Sequence, residues 1–332
     1  MEANSLAPVW FYILGALLFL YVVLDGFDLG IGILTLFNRD AQFHKASIEI
    51  IHGVWHANQT WLIVFAAGLF GVFPQVYGAM MAALYLPVAL MLIGLIGRGV
   101  ALEFHYFYPN SSPRLVSAFA WGSLLAAIAQ GLGVGTFLLG LPMENSIFTG
   151  GVWYWLSPLP IILAVGLPMV YALLGAVKMV GQTEGSIQDT SRRFSIRTAA
   201  LTIAAAAVFL LWCLISRPIW TEAWLSWPGA LTTFVLLLVG ALLFIPLFAL
   251  ISKGRGNASF LLTAGIVGLF FLGLANSLYP RILPPSVTIA QAAADPVIQK
   301  VMLVGFGVAL PLVLIYTIYM YRVFGGKVRI GE

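Results

Sequence analysis

The sequence predicts an all-α, polytopic membrane protein, and three observations carry that prediction. Charged residues make up only 8% of the 332 positions, against about 25% in a soluble domain. Hydrophobic residues make up 61% and the mean hydropathy is +1.00, so lipid must solvate most of the side chains. The apolar runs exceed twenty residues and are crowded with Leu, Ala, Ile and Phe, whereas a membrane barrel alternates polar and apolar positions over about ten residues.

Runs long enough to cross about 30 Å at about 1.5 Å per residue give nine helices, near 7–37, 47–71, 75–104, 114–140, 152–179, 194–215, 228–251, 258–279 and 297–323. The first lacks the basic start and small-residue cleavage site of a signal peptide, so it is expected to stay as an anchor. The second and third are parted only by GVFPQ at 71–75, and SWPG at 226–229 and PRILPPS at 280–286 mark helix ends. Pro87, Pro168, Pro246 and Pro311 fall inside spans, where each removes a backbone hydrogen bond and favours a kink. Gly26 with Gly30 and Gly131 with Gly135 have the small-xxx-small spacing of close helix contacts; GLGVG follows no strand, so it does not read as a dinucleotide loop.

The alternating loops sort the basic residues. Arg39, Lys45, Arg98, Arg114, Lys178, Arg192, Arg193, Arg197, Lys253, Arg255, Arg322, Lys327 and Arg329 fall on one side, and only Arg217, Arg281 and Lys300 on the other. The positive-inside rule then predicts an outside N-terminus and a cytoplasmic C-terminus. The net charge of +4 is spread thinly rather than gathered in a patch, so no nucleic-acid partner is expected. Cys213 is the one cysteine, which excludes an intrachain disulfide. The whole chain, 1–332, reads as one membrane domain, with its polar chemistry in 7–140 and mainly scaffold in 152–323.

Ionisable groups in hydrocarbon are costly and call for a reason. Asp25 and Asp28 share a face of the first helix. His52 and His56 stand one turn apart on the second, followed by Asn58 and Gln59, and Arg98 and Glu103 lie near the end of the third. All fall in the same half of the membrane. One reading is a charge-compensated helix contact in which Arg98 neutralises an aspartate. The sharper one is a proton path through Asp25, Asp28, His56 and Glu103. A metal bound by His52, His56 and an aspartate is a third, although the pair lacks the glutamate of HExxH. Haem ligation needs histidines or methionines on facing helices, and the four histidines, His44, His52, His56 and His105, do not offer that arrangement. In the later helices Gln130 and Asn276 are the main buried amides. WYW at 153–155 and YTIYMYRVF at 316–324 fit interfacial aromatic belts, against which a quinone or lipid tail could lie.

LDGFDLGIGIL, VWHANQTWLI, YPRILPPS and the terminal LPLVLIYTIYMYRVFGGKV resemble subunit II of the cytochrome bd-type quinol oxidases, including the cyanide-insensitive branch. The resemblance runs from the first helix to the C-terminus. It implies a bacterial or archaeal cytoplasmic-membrane complex that oxidises quinol, reduces dioxygen to water and builds a proton gradient. Haem b and haem d are then expected on subunit I, the principal partner, with quinol, lipid and small single-helix subunits as further partners. Carried over by position, Asp25 and Asp28 are the first-helix acids, while Trp55, Asn58, Gln59 and Trp61 face subunit I, with His52 and Arg98 as polar support. Where many members have an aspartate after the tryptophan, this chain has His56. The rival classes are an independent proton- or cation-coupled transporter and a purely structural subunit; no repeat of broken helices favours the transporter.

Overall fold

A computed structural model describes residues 6–108, 113–144, 147–218 and 221–328. Its helices are α1 (Ala7–Thr35), α2 (Ala41–His52), α3 (Trp55–Val72), α4 (Pro74–Phe107), α5 (Pro113–Leu139), α6 (Pro158–Gln182), α7 (Gly185–Ser216), α8 (Glu222–Leu225), α9 (Gly229–Leu242), α10 (Phe244–Ser252), α11 (Gly256–Leu278), α12 (Ile289–Ala292) and α13 (Pro296–Phe324). Two short antiparallel hairpins, β1 (Met143–Glu144) with β2 (Ile147–Phe148) and β3 (Arg281–Leu283) with β4 (Val287–Thr288), lie in loops. Arg329, counted in the charge asymmetry, lies outside the described residues.

Among the described residues, eight helical segments are long and apolar enough to cross a membrane, with α9 and α10 counting as one. The second expected span differs. Residues 47–71 are not one helix: α2 stops at His52 and α3 starts at Trp55, with Gly53 and Val54 between them. Glycine is a poor helix former, and a Cβ at Gly53 would collide with the Phe324 ring from the end of α13. Of the expected proline effects, the break at Leu243 precedes Pro246, which cannot donate to the preceding turn. Pro87, Pro168 and Pro311 sit inside continuous helices. The WYW segment belongs to the loop before α6, so the fifth span starts at Pro158 rather than 152. α7 starts at Gly185, nine residues before the expected 194, because SIQDTSRRF continues the helix with a polar turn.

Helix ends follow the local chemistry. Prolines stand in the first turn of α1, α4, α6 and α13, where a missing N–H costs nothing. Asp40 and Asp295 accept hydrogen bonds from Gln42 N and Val297 N and so cap α2 and α13.

Packing centres on α6, which touches α1, α5, α7 and α11. Both glycine pairs meet it. A Cβ at Gly30 would overlap the Tyr171 carbonyl oxygen, and one at Gly26 would lie 2.7 Å from the Tyr171 ring. Gly131 and Gly135 press on the α6 backbone at Leu163 and Pro160. Backbones this close leave no space for a methyl group. Gly30→Val is therefore expected to cost more than about 3 kcal/mol, beyond ordinary overpacking, and to abolish a detergent-stable fold. Gly78→Ala, with nothing within 4 Å of its Cβ, is expected to leave thermal unfolding unchanged.

Candidate functional site

The polar residues separate into an inner and an outer group. On α1, Tyr21, Asp25 and Asp28 share a face by three- and four-residue spacing. The close α1–α6 approach turns that face inward, and both carboxylates have 0% exposure. Arg98, on α4 and 1% exposed, places Nη2 2.8 Å from Asp25 Oδ1. Asn58 on α3 donates from Nδ2 to Asp28 Oδ2 at 2.8 Å, and its Oδ1 accepts from the Tyr321 hydroxyl of α13 at 3.0 Å. The two acids thus have different partners, a guanidinium for Asp25 and a neutral amide for Asp28. Asp25 Oδ2 and Asp28 Oδ1 each have no protein hydrogen-bond partner among the described residues, so the two acids differ in the partner of the other oxygen.

A second arm reaches Asp25 from α5 and α6. The Tyr171 hydroxyl donates to Gln130 Oε1 at 2.7 Å, and Gln130 Nε2 donates to the Tyr21 hydroxyl oxygen at 2.6 Å. Tyr21 stands beside the Asp25 carboxylate. Gln130 is buried as the sequence suggests. Asn276, expected to be buried as well, is exposed on α11 because the helix turns it away from its neighbours. Tyr21, Tyr171, Lys178 and Tyr321 are members that sequence reasoning missed. Tyr21 alone had a readable signal, its place one turn before Asp25.

The outer group lies on the surface of the chain. Glu103 Oε1 accepts from Trp55 Nε1 at 3.2 Å, and Glu103 Oε2 is 3.5 Å from His52 Nε2. His52 stacks on Tyr106 with ring centres 3.4 Å apart. Gly99, four residues before Glu103, makes room for the Trp55 ring. His56 is exposed and lies against Trp55, with ring centres 3.7 Å apart.

This arrangement bears on three readings of the polar residues. His56 does not join Asp25 and Asp28, because two residues along α3 turn it about 200° from Asn58, which faces Asp28. The aspartates and histidines fall in separate groups, so they do not converge on a metal. Asn58 and Trp61, expected to face subunit I, are buried inside this chain at 0% and 1% exposure, while Trp55 and Gln59 stay half-buried. His44 Nε2 lies 2.6 Å from the Asn38 carbonyl oxygen, and His52 Nε2 is turned to Glu103.

The sequence matches the family described as cytochrome bd terminal oxidase subunit II over residues 6–324. This chain belongs to that family. It is 26% identical to the cytochrome bd ubiquinol oxidase subunit 2 of Bacillus subtilis, covering 99% of this chain and 98% of that one. It is 25% identical to the cytochrome bd-I ubiquinol oxidase subunit 2 of Escherichia coli K12, covering 98% and 96%. Its fold superimposes on a chain of the bd oxidase from Geobacillus thermodenitrificans with a TM-score of 0.81 at 19% identity, over 96% of this chain and 98% of that one. As a bd oxidase subunit II, the protein is part of a quinol oxidase complex, an oxidoreductase that contains haem, and subunit I is its partner. It is a multi-pass protein of the bacterial inner membrane.

Asp25→Asn leaves the Arg98 guanidinium buried without its anion. Losing one member of such a pair costs about 3–5 kcal/mol. The single variant of this subunit II is expected to melt well below the parent complex, and Asp25→Asn with Arg98→Met to recover most of that loss in thermal unfolding of the purified oxidase.

Proposed function

We propose that this subunit II stabilises subunit I and carries a buried acid site that holds and passes protons used in dioxygen reduction. The observation that carries the reading is the difference between the two acids. Asp25 is tied to Arg98, so its charge is compensated in place. Asp28 is equally buried but bonded only to the Asn58 amide, and a carboxylate with one oxygen free of protein donors can take up a proton without breaking an ion pair.

In this reading the N-terminus is outside and the C-terminus cytoplasmic, which puts Asp25, Asp28 and the outer group in the cytoplasmic half, on the side from which protons are drawn. In this reading the haems b and d, which supply electron transfer and oxygen chemistry, belong to subunit I. His52, Trp55, His56, Gln59 and Glu103 would be costly against lipid, so they form part of the surface that subunit I covers. Glu103 then offers a proton acceptor at the subunit boundary, and exposed His56 an imidazole that can relay a proton. Quinone or lipid chains and small single-helix subunits would lie along the exposed apolar faces, of which α13 offers the most complete.

The test is Asp28→Asn in the assembled complex, which keeps shape and most hydrogen bonding while removing the proton. Expected is a complex with its full haem content and a fall in quinol-dependent oxygen consumption of about a hundredfold or more, the range for loss of a proton-transfer group. Unchanged oxygen consumption and proton uptake would leave the acids with a structural role only. His56→Asp is expected to retain activity in the same oxygen-electrode assay, since an exposed site accepts either group.

A further inference from the structure

Lys178 on α6 is a half-buried cation that the acid pairing leaves unexplained. It lies seven residues, about two turns, beyond Tyr171 on the same helix face. Its Nζ stands over three rings from three other helices, 5.1 Å from the centre of Phe27 on α1, 5.3 Å from Phe260 on α11 and 5.2 Å from Tyr321 on α13. These distances are within cation–π range. Among the described residues no carboxylate lies within ion-pair distance of it.

The cage connects to the acid site at two points. Phe27 is the chain neighbour of Asp28. Tyr321 holds the ammonium on its ring face while its hydroxyl donates to Asn58, which donates to Asp28. Lys178 and Asp28 are also within electrostatic range of each other. The buried site therefore contains two acids and two bases, with Arg98 in contact with Asp25 and Lys178 held back from Asp28.

We propose that Lys178 is a positioning residue, the caged countercharge that sets the proton equilibrium of Asp28 without contacting it. A direct ion pair would pin Asp28 as an anion, as Arg98 pins Asp25 through Oδ1, because protonation would then have to break the pair. A caged ammonium lowers the cost of the charged form and leaves the oxygen accessible. The charged and titratable groups facing Asp28 are Asp25 from α1, Arg98 from α4, Lys178 from α6 and Tyr321 from α13, with the Asn58 amide from α3; α11 contributes the Phe260 ring beside Lys178. Lys178 is the cation among them that is not already paired. This inference rests on Asp28 being the proton-holding acid.

The experiment uses the assembled oxidase with Lys178→Met, Lys178→Arg and Asp28→Asn. It measures the pH profile of quinol oxidation and the infrared C=O band of protonated carboxyl groups, assigned to Asp28 by its loss in Asp28→Asn. Removing one nearby countercharge is expected to favour protonated Asp28 by about tenfold. In Lys178→Met the band should therefore persist, and the pH profile move, about one pH unit higher, with Lys178→Arg close to the parent. A purely structural lysine would alter melting but not the profile. If Lys178→Met does not assemble, Lys178→Gln, neutral but polar, carries the same expectation. An unshifted profile and band in an assembled neutral variant would overturn the proposal, as would Lys178→Arg behaving like Lys178→Met. Parent activity in Asp28→Asn would overturn the underlying proton reading instead, so the two failures are distinguishable.

Discussion

The contact between Asp25 and Arg98, 2.8 Å and fully buried, is the constraint around which the first four long helices are arranged. A guanidinium in the apolar interior must have an anion, and the low dielectric that makes the unpaired group so costly also makes the pair rigid. Asp25 comes from α1 and Arg98 from α4, so the pair ties together two helices separated by the whole of α2 and α3. Once Asp25 is spoken for, Asp28, one turn on, cannot share Arg98 on the same terms. It takes the Asn58 amide, and that contact sets the rotation of α3. The asymmetry of the two acids is thus a packing consequence as much as an electrostatic one.

The pair is inside because of glycine. Gly26 and Gly30 flank the acids on α1 and let it lie against α6 at backbone distance, with Gly175 on α6 pressed onto Gly30 and Ile31 in return. That approach brings Tyr171 to the level of Gln130 and sets Lys178 two turns further along. Larger residues at these positions would move α6 outward by the width of a side chain and separate both the tyrosine relay and the lysine from the acids. Close packing, rather than any apolar driving force between helices in lipid, therefore assembles the polar centre.

Much of the fold was legible because hydrophobic runs bounded by proline and charge are strong signals at the length of a membrane span. The glycine pairs were legible for a similar reason, since a four-residue spacing maps directly onto one helix face. The second span was misread at Gly53, where mean apolarity hides a short interruption that becomes visible only when Phe324 packs onto it from 271 residues away in the chain. Of the site, Asp25, Asp28 and Arg98 could be singled out as charges in hydrocarbon, and Gln130 as an amide. Tyr171, Lys178 and Tyr321 could not. A tyrosine or lysine near the end of an apolar helix is the ordinary composition of a membrane interface, and nothing in the local pattern tells which of several such residues turns inward.

The placement of His56 follows from the same reasoning. Asn58 faces Asp28, so helical phase alone sends His56 to the outside, where it joins Trp55 and, through Trp55, Glu103. An aspartate at that position, frequent in the resembled family, would lie on the same outer face and would likewise be kept from the inner pair by the body of α3. The residue type at position 56 thus bears on the subunit boundary and its hydration, whereas the proton affinity of the inner site depends on groups two or more helices away. Substitution at one site can then proceed without readjusting the other, because α3 presents its two polar faces to different surroundings and shares no ion pair between them.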